Sequence, residues 1–160
     1  MNKVMINTIA IALFLVLGTA CSAVAQSNKA NGGGRLEGTW DARVRITNCQ
    51  TGAEITSFNS IASFISGGTS IGSTAGIPQA NRTPEHGVWR HVGGNNYAFK
   101  FKTFSFAQNV PTGWSIVEHQ VVLSADANSY TSSGTAKFFD ADGNQVNSGC
   151  SDAIGTRFDL

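Results

Sequence analysis

The stretch Leu36 to Cys49, LEGTWDARVRITNC, decides the fold class. Leu36, Trp40, Ala42, Val44 and Ile46 occupy even positions, while Glu37, Thr39, Asp41, Arg43, Arg45 and Thr47 occupy odd ones. Successive side chains of a β-strand point to opposite faces, so this alternation reads as a strand with one dry face and one wet face. Gly38-Thr39 stands at its start, and a second Gly-Thr pair, Gly155-Thr156, precedes Arg157 near Leu160.

Seven further segments have strand character: Ser57 to Ile65, Thr69 to Thr74, Gly87 to Val92, Tyr97 to Phe106, Trp114 to Ser124, Ser129 to Phe139, and Gln145 to Phe158 with a break near Asp152. Clusters of Gly, Asn, Asp and Pro separate them at hairpin lengths, and no segment after the leader keeps a helical period. Eight short antiparallel strands with tight turns are the pattern of an all-β barrel or sandwich. The longest irregular stretch, Gly72 to Glu85, contains Pro78, Asn81, Arg82 and Pro84, and reads either as a lid over a barrel mouth or as a tolerated surface insertion.

In Tyr97 to Phe106, Tyr97, Phe99 and Phe101 share one face and Lys100 and Lys102 the other. Phe104 and Phe106 then fall on the opposite phase. Either a β-bulge after Thr103 turns them inward, or they lie outside as an apolar patch.

Two cysteines follow the leader, Cys49 and Cys150. In an exported chain they are expected to pair, closing a loop of about a hundred residues. If Cys49 and Cys150 face each other in an antiparallel pair, Trp40 faces Asp159 and Arg157 lies one diagonal step away. The guanidinium is then within reach of the indole, a cation–π arrangement. First and last strands become neighbours, which closes the sheet and removes its edges.

Gly38-x-Trp40 on the first strand with a late Arg157 resembles the lipocalins and their calycin relatives. The resemblance implies a closed eight-stranded antiparallel up-and-down barrel, calycin-like and short, without the helix that lipocalins pack on the barrel. It implies structural roles for Gly38, Trp40 and Arg157, with the tryptophan at the closed end beneath the arginine. It also implies an interior that holds a small ligand.

The N-terminus carries Lys3, an apolar run from Ile6 to Leu17, and the small-x-small site Ala23-Val24-Ala25. This is the pattern of a secretory signal peptide over residues 1–25, and the apolar run is short for a membrane span. Cys21 after Gly18-Thr19-Ala20 offers a lipoprotein alternative, for which Gly18 is a poor match. Residues 26–35 read as a flexible leader and 36–160 as one barrel domain. The expected location is the bacterial periplasm or the exterior. Loss of Lys3 leaves basic and acidic residues in balance, with no electrostatic footprint for nucleic acid or an anionic membrane. Oligomeric state is not readable.

Chemistry-bearing residues are sparse. His86 and His91 differ in parity and point to opposite faces, so no metal site is expected. Asp140 to Asn144 resembles a calcium loop, but Gln145 and Ser151 stand where an EF-hand needs Gly and Glu, so it reads as a hairpin turn. No cofactor or nucleophile signature appears. On Trp114 to Ser124 either Glu118 faces inward with Ile116 and Val122, or His119 does with Val117, Val121 and Leu123, and the second face carries more aliphatic residues. These two and Tyr130 are the candidates for acid–base catalysis of an isomerase, cyclase or decarboxylase type. Trp89, Tyr97, Phe99, Phe101 and Trp114 are the candidates for contact with a small apolar or amphipathic molecule. A solid barrel acting through its outer surface is the third reading.

Overall fold

The computed structural model describes residues 34–160. The signal-peptide reading of 1–25, the Cys21 alternative and residues 26–33 of the leader lie outside the described residues. The chain forms eight strands: β1 (Gly38–Thr47), β2 (Glu54–Ile65), β3 (Thr69–Thr74), β4 (Glu85–Gly93), β5 (Asn96–Ala107), β6 (Val110–Leu123), β7 (Ser129–Asp140) and β8 (Gln145–Arg157). Each pairs antiparallel with the next, and β8 returns to β1, giving a closed up-and-down barrel. The only helical element among the described residues is a 3-10 turn, Gln79–Asn81, between β3 and β4.

The alternation of β1 becomes the wall of the barrel. Trp40 and Ala42 are buried, whereas Asp41, Arg43 and Arg45 are exposed. Arg45 meets Asp152 of β8 through two hydrogen bonds of 2.7 and 2.8 Å on the outer surface. That pair explains why β8 is not broken at Asp152: the carboxylate points into water and its backbone stays in the ladder, opposite Arg45.

The register of closure differs from the expected one by two residues. Trp40 stands directly opposite Arg157, and Thr47 opposite Cys150. Cys49 lies beyond the end of β1, in the turn that follows, and reaches Cys150 obliquely, with sulfur atoms at bonding distance and Cα atoms 5.2 Å apart. A facing pair of cysteines would have set the expected register. The disulfide is instead a diagonal from a turn to a strand.

Of the two readings of β5, Phe104 follows the outward one. Tyr97, Phe99, Phe101 and Thr103 all face the interior, Thr103 is buried, and Phe104 is exposed. The irregularity in pairing comes later, between Ser105 and Phe106. Thr103 tolerates burial because its hydroxyl accepts a bond from Arg82 Nε (3.1 Å) and donates to the Thr83 carbonyl (3.0 Å). Those partners come from the β3–β4 loop.

One end of the barrel is sealed. Leu36, Trp40, Tyr97, Val121 and Leu123 are almost completely buried there. Trp40 Nε1 donates to the Leu36 carbonyl at 2.9 Å, and the Arg157 guanidinium lies 4.3 Å from the indole centre. Arg157 also donates to the carbonyls of Ala127, Glu37 and Arg35 at 3.0, 2.9 and 2.8 Å. Gly38 serves this cluster twice: its φ is +123°, and a Cβ there would stand 2.6 Å from Arg157 Nη1. Arg35, read as the end of the leader, is tied into the barrel through Asn95 Oδ1 (2.9 Å) and the Ala125 carbonyl (2.6 Å).

Candidate functional site

The other end is open and leads into a cavity of about 510 Å³. Its existence follows from side-chain size. The inward positions of β1, β2, β3, β7 and β8 carry Ala42, Ser60, Ala62, Ser70, Gly72, Ser132, Ala136, Ser151 and Ala153, all small, whereas β5 supplies Phe99 and Phe101. An eight-stranded barrel is just wide enough for ordinary side chains to fill, so small residues over most of its wall leave a void. Val44, Ile46, Phe58, Phe64, Ile71, Ile77, Val117 and Phe138 supply the larger apolar side chains of the lining.

Beyond its serines and Thr56, the lining is interrupted by a histidine, a tyrosine and an ion pair. The first is His119 on β6, which is buried and reaches across β7. Its Nδ1 is 3.0 Å from Ser132 Oγ and its Nε2 is 2.8 Å from Ser151 Oγ. The ring crosses at Gly134, where a Cβ would come within 2.5 Å of His119 Cδ2. Burial lowers the imidazole pKa to about 4, with the nearby Asp152 charge opposing, so the ring is neutral at pH 7. A neutral imidazole has one donor and one acceptor nitrogen. One serine therefore donates to it and the other accepts.

The second is Tyr130 on β7, next inward neighbour of Ser132. Its ring packs edge-on against Trp40 with centroids 5.1 Å apart, and the residue is 4 % exposed. Burial, with a contribution from the Glu85 charge, pushes the phenol up to about 12, so it stays protonated.

The third is an ion pair at the mouth. Arg82 comes from the β3–β4 loop and Glu85 opens β4; Arg82 Nη2 and Glu85 Oε1 are 3.0 Å apart, with each side chain 11 % exposed. Burial raises the Glu85 pKa while Arg82 draws it down, and burial lowers that of Arg82 while Glu85 raises it. The loop is pinned over the mouth by pairing of Arg82 with Ser105 and by a Thr83-to-Phe104 backbone bond of 3.0 Å.

The structure sorts the sequence candidates. Phe99, Phe101, His119 and Tyr130 line the cavity. Trp89 and Tyr97 face inward but belong to the packed core cluster below it, where Trp89 Nε1 donates to the Ile65 carbonyl at 3.0 Å. Trp114 is on the outer surface, stacked on Phe139 with centroids 5.5 Å apart and capped by Lys102 at 4.4 Å. Its even position on β6 puts it on the same side as Glu118, which pairs with Lys100 at 2.6 Å on the exterior. Glu118 is thus separated from His119 by the barrel wall. Cavity residues that sequence reasoning did not single out for chemistry are Arg82, Glu85, Ser132 and Ser151. The signal within reach was the run of small residues at inward phase on β7 and β8.

No protein-family model matches the chain, and no curated protein or solved structure matches it. Fold and site define a class by themselves: a closed eight-stranded up-and-down β-barrel with an interior chamber open at one end. That architecture is consistent with the calycin-like fold, and the resemblance to lipocalins stands at that level. Among the described residues, no helix is long and apolar enough to cross a membrane.

Proposed function

We propose that this protein is an exported binding barrel whose interior holds a small, partly apolar molecule. The observation that carries the reading is the combination of an open, mostly apolar cavity of about 510 Å³ with a few convergent polar groups inside it. This is the usual composition of a small-molecule site. The volume suits a ligand of roughly ten to twenty heavy atoms at protein-like packing. Export is supported by the Ala23-Val24-Ala25 pattern and by the Cys49–Cys150 pair.

Binding is favoured over acid–base catalysis by the state of His119. Both its ring nitrogens are engaged by serines, and a base whose pKa is about 4 has little proton affinity at neutral pH. Tyr130 and His119 nevertheless line one chamber, so an isomerase, cyclase or decarboxylase is the second reading.

Thermal unfolding against a panel of small hydrophobic molecules tests the proposal. A ligand at a hundred times its dissociation constant stabilises by about 2.7 kcal/mol and raises Tm accordingly. Ala136→Trp, which fills the wall of the chamber, should abolish the shift while the variant stays folded. A flat response across the panel would overturn the reading.

A further inference from the structure

Resting on the reading of the interior as a ligand chamber, we propose that its ligand is uncharged. It is apolar over most of its length and carries a hydroxyl group that docks against Arg82, Glu85 and Tyr130. A carbonyl is the second-best head group, and a carboxylate is disfavoured.

Charge balance and open hydrogen-bonding positions at the cavity select this ligand. Among the described residues, Arg82 and Glu85 are the only formally charged ones lining the cavity, apart from the titratable His119. They neutralise each other across 3.0 Å. A ligand carboxylate would therefore enter a poorly solvated space beside the Glu85 carboxylate and have to share one guanidinium with it. A buried anion without its own cation is strongly disfavoured.

The same groups leave a specific set of open valences. Arg82 uses Nε on Thr103 and Nη2 on Glu85. Its Nη1, Glu85 Oε2 and the Tyr130 hydroxyl make no further hydrogen bond to a described residue and stay accessible in the open cavity. Glu85 is 8 % exposed and Tyr130 is 4 % exposed, and both face the cavity. The site therefore offers donors in Arg82 and Tyr130 and an acceptor in Glu85. A ligand hydroxyl satisfies both kinds at once. A ketone accepts from the donors but leaves Glu85 Oε2 unmet, and a hydrocarbon meets none of them. Groups of this kind discriminate sharply, because a ligand lacking the partner leaves them buried and unpaired.

The experiment is displacement of the neutral fluorophore N-phenyl-1-naphthylamine at pH 7.5 by four compounds of equal chain length: 1-decanol, 2-decanone, decanoate and decane. Decanol is expected to displace at a concentration at least tenfold below decanoate, with decanone between them. Glu85→Gln leaves the Arg82 charge unmatched, so decanoate should gain at least tenfold and overtake decanol. Tyr130→Phe should weaken decanol and decanone and leave decane unchanged. Decanoate binding as well as or better than decanol to the wild type overturns the proposal. Equal displacement by decane and decanol also overturns it, while leaving the chamber reading intact. Failure of the fluorophore and all four compounds to bind overturns both. If circular dichroism shows Glu85→Gln to be unfolded, the wild-type ranking and Tyr130→Phe decide.

Discussion

The imidazole of His119 crosses directly over Gly134, and this single approach lets a side chain of β6 bond a serine on β7 and another on β8. A Cβ at Gly134 would also run into the Glu118 carbonyl of the paired strand, which cannot yield as a side chain can. Gly134→Ala should therefore displace the ring and leave buried serines unpaired. A loss of about 2–4 kcal/mol is expected, measured by urea denaturation.

His119 makes stability pH-dependent in a defined window. Its folded pKa, about 4, lies below the 6.5 of an unfolded histidine. Over that interval the unfolded chain takes up a proton that the native ring refuses, so lowering pH from neutrality towards 4 favours unfolding. The contribution is about 3 kcal/mol. Glu85, whose pKa is raised by burial, works in the opposite sense above the ordinary carboxylate range. Comparing wild type with His119→Gln at pH 7 and pH 4.5 isolates the histidine, and the variant should have the flatter profile.

Arg157 closes the sealed end by holding three carbonyls and the face of Trp40. Arg157→Met keeps the length of the stem and removes all four contacts. We expect a loss of about 3 kcal/mol or more by thermal or chemical denaturation. Arg157→Lys should recover little, because an ammonium has no planar fork to span the three carbonyls.

Cys49 and Cys150 are 101 residues apart in sequence. Replacing both with serine relaxes the unfolded ensemble by about 4–5 kcal/mol in the chain-entropy account. A large fall in Tm should accompany reduction of the wild type, with no equivalent fall on reduction of the double variant.

The two aromatic settings on β5 and β6 separate by a binding assay. Phe99→Ala enlarges the chamber and should weaken an apolar ligand by tenfold or more. Trp114→Ala, on the outer wall, should leave affinity within twofold. Equal effects from the two substitutions would contradict the sidedness seen in the structure.

Sequence periodicity carried a long way here because the side-chain period of a strand is fixed by backbone geometry. The two faces of β1 and all eight strands were legible on that basis, while the pairing of Cys49 with Cys150 was legible from the count of two cysteines after the leader. The inward row Tyr97, Phe99, Phe101 was legible too. Parity did not assign Trp114, because that strand has apolar residues on both faces and only pairing with its neighbours selects one. The register between β1 and β8 was out by two because a disulfide constrains two sulfurs without requiring their backbones to face each other.

The site was less legible than the fold. Glu118 and His119 are adjacent, so one had to be inside; the aliphatic Val117, Val121 and Leu123 on the same face favoured His119, and closure of the barrel puts that face inward. Arg82 and Glu85 are three apart across a Pro84-containing turn that has no period to read. Their burial depends on Thr103 and on the fold of the loop over the mouth. By itself the sequence determined an all-β chain with a dry side and a wet side to each strand. Only the tertiary structure decided that the dry side encloses space. That outcome depends on small residues from five strands meeting across one interior, a sum over distant positions that no local pattern records.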